Sequence, residues 1–253
     1  MTRQEGGLPG LRRSIAWLAE QLFPSACPLC SRSFAPNWRQ PFCASCLLGF
    51  KPLPAAHCSC CALPFQTLNN SPHLCGRCRL SSPSFSKVYC GGLYALSLRK
   101  AIHQFKFNQR VGLDRPLAQL LDQAIAADCP CDLIIPLPLH PRRLRQRSYN
   151  QSLLLAKEIG RLRKLPVAPQ LLLKGRDTPP QQGLSARERE KNLRGAFYLN
   201  GYLAGARVLL VDDVMTTGTT ASAAGKVLLQ NGAAEVQVAV VGRAPSETLQ
   251  MSS

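Results

Sequence analysis

The chain has 253 residues, enough for one or two domains, and 45% of them are apolar, so a sizeable core can form. No stretch approaches the ~18 uncharged apolar residues of a membrane-spanning helix, which excludes membrane insertion, and 18% charged residues do not suit wholesale disorder. The formal net charge of +17 points to a polyanionic partner, whether nucleic acid, a phosphorylated ligand or an acidic lipid.

The first expected element is a short amphipathic helix within residues 1–24, running over about 11–23. Ile15, Leu18 and Leu22 would share its apolar face and Pro24 would end it. Arg12-Arg13 has the outline of a twin-arginine export signal, but Glu20 interrupts an apolar stretch that is already short. A cytoplasmic protein is therefore expected.

Residues 25–90 carry ten of the twelve cysteines. Four C-x-x-C pairs follow one another: Cys27/Cys30, Cys43/Cys46, Cys58/Cys61 and Cys75/Cys78. The two-residue spacing lets a tight knuckle aim both sulfurs at one tetrahedral ion. The gap between pairs is 12 residues in the first half and 13 in the second, a repeat that reads as two successive zinc ribbons. The filler is rich in proline and poor in core-forming residues, so metal would drive the folding. Adjacent pairing of the motifs is expected, with an interleaved cross-brace as the alternative. His57 could replace a neighbouring cysteine as a ligand. No acidic residue lies between Glu20 and Asp114, so neither zinc has a general base beside it, and both read as structural. Eight thiolates on two zinc ions would lower the net charge to about +13, still strongly basic. Arg32, Arg39, Lys51, Arg77, Arg79 and Lys87 give the ribbons a basic surface.

From residue 91 to 253 the rhythm becomes α/β. Helices are expected over 98–107, 117–127, 148–165 and 219–230, the last closed by Asn231-Gly232. Short apolar strands are expected over 132–136, 206–212 and 236–241. Such alternation argues a parallel sheet covered on both faces.

The most specific segment is Val208-Leu209-Leu210-Val211-Asp212-Asp213-Val214-Met215-Thr216-Thr217-Gly218-Thr219-Thr220. A buried strand would end in two adjacent carboxylates, where ligands of open α/β sheets bind. Those carboxylates suit the vicinal hydroxyls of a ribose. The Thr/Gly loop that follows opens a helix, and its N–H groups and hydroxyls suit a phosphate. Ribose diol and 5-phosphate along one turn describe 5-phosphoribosyl diphosphate. A Walker B strand also ends in acids, but no G-x-x-x-x-G-K-[ST] accompanies it. A receiver domain would need about a hundred residues after the acid pair, and only 40 follow Asp213.

This motif resembles the fingerprint of type I phosphoribosyltransferases. With the ribbons in front, the chain resembles the ComF family, and its GntX-like members most closely. The resemblance runs from about Cys27 to Arg243. It takes in Ile102-His103-Gln104-Phe105-Lys106-Phe107, Pro136-Leu137-Pro138-Leu139-His140, Arg147-Ser148-Tyr149-Asn150-Gln151-Ser152, and Thr178 through Phe197 with Gln181, Leu184, Arg189 and Asn192. Ser148 and Tyr149 stand where the family usually has Gly-Phe, a departure that matters if position 148 needs positive φ. The resemblance implies a type I phosphoribosyltransferase-like α/β domain behind a zinc-ribbon domain. It also implies a role in handling incoming DNA, as in natural transformation or DNA utilisation, with a DNA-uptake or helicase protein as partner.

In phosphoribosyltransferases a loop after an early strand grips the pyrophosphate. By position that loop would be Leu139-His140 through Arg143. Residues 142–176 hold ten Lys/Arg and one acid, a net of +9. Arg142, Arg143, Arg145 and Arg147 would serve pyrophosphate or single-stranded DNA, with Tyr149 as a stacking ring, or would form a solvated basic face. For transfer chemistry, Asp212 and Asp213 would hold the diol and stabilise an oxocarbenium-like centre at C1. Mg²⁺ would bridge pyrophosphate and ribose. No feature identifies a nucleobase acceptor. A salvage phosphoribosyltransferase and a non-catalytic phosphoribosyl diphosphate sensor are therefore the alternatives.

Overall fold

The computed structural model describes residues 26–34, 41–65, 70–108, 110–177 and 186–245. The expected N-terminal helix, Arg39, Gln181, Leu184 and the Arg189 side chain lie outside the described residues.

Two short helices belong to the cysteine region, α1 (Ala44–Leu47) and α2 (Gly76–Leu80). Strand β1 (Lys87–Cys90) and helices α3 (Leu96–Phe107) and α4 (Asp114–Ala124) follow. Next come β2 (Leu133–Pro136), α5 (Pro141–Arg147) and α6 (Gln151–Arg163). A small excursion holds β3 (Leu172–Lys174), α7 (Ala186–Leu193) and β4 (Phe197–Leu199). The chain then returns through β5 (Arg207–Met215), α8 (Thr219–Gln230) and β6 (Glu235–Arg243).

The main sheet is parallel throughout, in the order β1-β6-β5-β2. Its interior strands carry the apolar runs Val208–Val211 and Val238–Val241 because both faces are covered. Leu209, Val211, Ala239 and Val241 face a cluster that includes Leu98, Ile102 and Phe105 of α3, Leu117 and Leu121 of α4, and Leu155 and Ile159 of α6. Val208, Leu210, Val236, Val238 and Val240 face Ala221, Ala224 and Leu228 of α8. The antiparallel β3–β4 pair packs Leu172 and Phe197 on that second side.

The cysteine region straddles the sheet. Cys27, Leu29, Phe42, Cys43 and Cys46 join the first cluster, whereas Cys58, Cys61, Ala62 and Cys78 join the second. The Leu93 N–H donates to the Lys51 carbonyl at 2.8 Å, tying the linker to the sheet end. Lys87–Cys90 is hydrogen-bonded to β6 as an edge strand, so the sheet begins before residue 91. In the sequence Cys90 continues the run of cysteines, and the strand's partner lies far along the chain.

Gly225 is explained by this packing. A Cβ there would lie 2.1 Å from the Ser84 carbonyl oxygen, so the segment leading into β1 can rest on α8 only at a glycine. The Ser84 N–H also donates to Ser222 Oγ at 3.1 Å.

Candidate functional site

The sulfurs come together as two quartets, Cys27/Cys30/Cys43/Cys46 and Cys58/Cys61/Cys75/Cys78, each with its ligand atoms within 4.8 Å of one another. Pairing is therefore adjacent, not cross-braced. Four thiol donors at this spacing fit a closed tetrahedral zinc site. Burial raises the Cys27 thiol, but N–H groups of Cys43, Cys30 and Leu29 outweigh it and bring it to about 6. Cys58, likewise buried, is brought to about 7 by N–H groups of Cys61, Cys75 and Cys60. Lowered thiols favour the thiolate that a metal needs. His57 stands apart from both quartets, its Nδ1 donating to the Pro54 carbonyl at 2.7 Å.

The second centre lies at the carboxyl end of β5. This strand runs on to Met215, so Asp212 and Asp213 sit inside it and their side chains diverge. Asp212 accepts from Ser152 Oγ at 2.9 Å and from the Asp213 N–H at 2.8 Å. Asp213, 6% exposed, pairs with Lys106 Nζ at 2.8 Å. Burial and the Asp213 charge raise Asp212 to about 7, against the opposing pull of Lys106, the Asp213 N–H and Ser152. Burial disfavours the Lys106 ammonium, but Asp213 and Asp212 outweigh it and keep the ammonium charged.

Beyond the acids the chain turns into α8 through Gly218, whose φ of +76° is the left-handed conformation glycine adopts freely. The hydroxyls of Thr217 and Thr219 are 2.8 Å apart. A small cavity of about 30 Å³ is lined by Asp212, Thr216, Thr217, Gly218 and Thr220, among others. Asp213 points away from it toward Lys106. The loop thus presents N–H donors and hydroxyls at the positive end of a twelve-residue helix, beside one carboxylate.

The basic segment is a helix rather than the expected loop. Pro141 fits its first turn, and His140 caps it by accepting from the Arg142 N–H at 3.3 Å. Asp177 lies 3.4 Å from Arg142 and 3.6 Å from His140. Arg147 lies 5.0 Å over the Phe107 ring and donates to Gln151. Arg143 and Leu139 are half-buried, and Arg145 is exposed. Tyr149 is half-buried against Phe105 and donates to the Phe105 carbonyl, so its ring braces α3 instead of standing open for stacking. Ser148 has φ +66°, so the departure from glycine does fall at a left-handed position.

Lys106 and Ser152 carry functional geometry that sequence reasoning did not assign. Both lie in segments that carry the family resemblance, Lys106 at the end of α3 and Ser152 in the first turn of α6. Ser152 owes its place to Asn150, whose Oδ1 accepts from the Ser152 N–H at 3.0 Å.

A double zinc ribbon domain is matched over residues 18–79 and a phosphoribosyl transferase domain over residues 154–252. Competence protein F of Haemophilus influenzae is 35% identical over 212 residues, covering 80% of this chain and 90% of that protein. The chain belongs to the ComF family. DNA utilization protein YhgH of Escherichia coli is 36% identical over 188 residues, 72% of this chain and 81% of that protein. Among solved structures, a purine phosphoribosyltransferase from Pyrococcus horikoshii overlaps 58% of this chain and 73% of that chain, at 18% identity and a TM-score of 0.32. In this ComF-family chain the two cysteine quartets fit structural zinc. Among the described residues no helix is long and apolar enough to cross a membrane.

Proposed function

We propose that this ComF-family protein binds 5-phosphoribosyl diphosphate at Asp212–Thr220 and acts in the cytoplasm in DNA uptake or utilisation. The observation that carries the reading is the shared cavity: the Asp212 carboxylate and the Thr216–Thr220 loop open onto one small space at the strand end. Asp212 would accept from the ribose hydroxyls. Asp213, neutralised by Lys106, would hold the strand end in place and complete the diol site once the ligand displaces the ammonium. The loop N–H groups would hold the 5-phosphate. Mg²⁺ would supply positive charge shared between pyrophosphate and ribose, as hard oxygen ligands favour. Arg143 and Arg145, with His140, stand after the early strand β2 in the position suited to the leaving pyrophosphate. The names of the relatives, competence protein and DNA utilization protein, support the DNA role. The basic surfaces of α5 and the ribbons would then contact single-stranded DNA through phosphate charges, beside a partner protein of DNA uptake or a helicase.

Calorimetric titration with 5-phosphoribosyl diphosphate and Mg²⁺ tests the site. The wild type should bind, and Asp212→Asn with Asp213→Asn should lose about 1–3 kcal/mol for each acceptor to a buried hydroxyl. Unchanged affinity in the double variant would remove the assignment. Pyrophosphate release on adding a nucleobase would extend the role from binding to transfer.

A further inference from the structure

The second cysteine quartet and the Thr/Gly loop are held together by one residue. Arg243 is 1% exposed and lies at the end of β6. Its Nε donates to the carbonyl of Cys61 at 2.8 Å. Its Nη1 donates to the carbonyls of Met215, Thr216 and Ala244. A buried guanidinium with its donors spent on two separate segments fixes them relative to each other. The second zinc knuckle is thereby docked onto the start of the loop.

That docking brings an arginine to the loop. Arg77 lies between Cys75 and Cys78, in α2, where a zinc ion held by those cysteines would fix its backbone. Its Nη2 is 3.5 Å from the point a Cβ on Gly218 would occupy. Arg77 is exposed and has no ion-pair partner among the described residues. A groove of about 780 Å³ opens between Arg77, Ser84, Arg194, Thr219, Ser222 and Lys226, and none of the described residues lining it is acidic. Gly218 lines both this groove and the small cavity beside Asp212.

We propose that Arg77, carried on the second zinc knuckle, is a ligand of the 5-phosphate, so that ribbon and loop form one anion site. The inference rests on the phosphoribosyl site proposed above and adds a residue from the other domain to it. Loop N–H groups alone provide partial charges. A dianionic phosphate at a helix start gains a full charge and up to two parallel hydrogen bonds from a guanidinium. The ribbon would then contribute to ligand binding as well as to the fold.

The test uses the full-length zinc-loaded protein with ribose 5-phosphate and with 5-phosphoribosyl diphosphate plus Mg²⁺. Arg77→Ala and Arg77→Gln should each weaken both ligands by about 10- to 100-fold, with Arg77→Lys intermediate, while elemental zinc stays at two per chain. Arg99→Ala, at an exposed position of α3, should bind as the wild type does. Wild-type affinity in Arg77→Ala and Arg77→Gln would overturn the inference and leave the underlying site standing. A loss confined to the diphosphate ligand would also overturn it, since Arg77 would then serve the pyrophosphate. If the wild type takes up neither ligand, the phosphoribosyl reading itself fails, and this one with it.

Discussion

Asp212 carries a stability signature that follows from its surroundings. Burial and the Asp213 charge raise it to about 7, whereas in an unfolded chain it releases its proton near 4. Between those values the folded state holds more protons than the unfolded state. Stability therefore falls as pH rises from about 4 to about 7, and is flat in this respect above that. Asp212→Asn should remove the slope and raise unfolding free energy near pH 8 by on the order of 2 kcal/mol, with a smaller gain near pH 4. Urea denaturation at the two pH values checks this. The same substitution would replace one carboxylate oxygen of the proposed ligand site by a donor, so there stability would be gained at the expense of binding. Ser148 tells a second residue-scale story. At φ +66° a side chain costs about 1–2 kcal/mol, of which glycine recovers part after its own entropy is counted. Ser148→Gly should stabilise the fold by about 0.5–1 kcal/mol in thermal or urea unfolding. An unchanged or lowered midpoint would show that neighbours relieve the strain.

At the scale of elements, legibility tracked how complete the local signals were. Helix α8 was read at both its bounds, Thr219 and Gln230, because Gly218 opens it and Asn231-Gly232 closes it. The apolar core of β5 was equally plain, but the strand outran its expected end at Asp212 by three residues, to Met215. Paired acids have the look of a strand terminus in sequence, but Asp213 stays buried by pairing with Lys106. Helix α6 begins three residues later than expected, at Gln151, because Asn150 caps it. Four arginines in seven residues disguised α5, since charge says little about helix when proline and a capping histidine define the start. The short β3–β4 pair went unread: each strand has three residues and no alternating pattern long enough to register. Gly225 is an element-scale device whose purpose only the fold reveals. Gly225→Ala would favour the helix intrinsically by about 1 kcal/mol. Its Cβ would nevertheless meet the Ser84 carbonyl at 2.1 Å, so the net effect should be a loss of about 2 kcal/mol in chemical denaturation. A gain would mean that the segment before β1 is free to move off α8.

On the scale of the whole molecule, the ribbons and the α/β domain share their cores. One cysteine quartet packs with each face of the sheet, and β1, Lys51, Leu93 and Arg243 connect the two regions. The cysteine spacing made both zinc sites legible, because ligand geometry is local. The docking was not legible, because Arg243 lies 182 residues beyond Cys61 and looks like any cation at a strand end. Docking places the Thr/Gly loop beside the second cysteine quartet. The proposed function places the sugar phosphate on the loop after β5. A crystal structure of the zinc-loaded protein with 5-phosphoribosyl diphosphate and Mg²⁺ tests it most directly. The 5-phosphate should lie on the backbone N–H groups of Thr216–Thr220 and the ribose diol on Asp212 and Asp213. A ligand lying along Arg142–Arg147 with the Thr/Gly loop empty would contradict it.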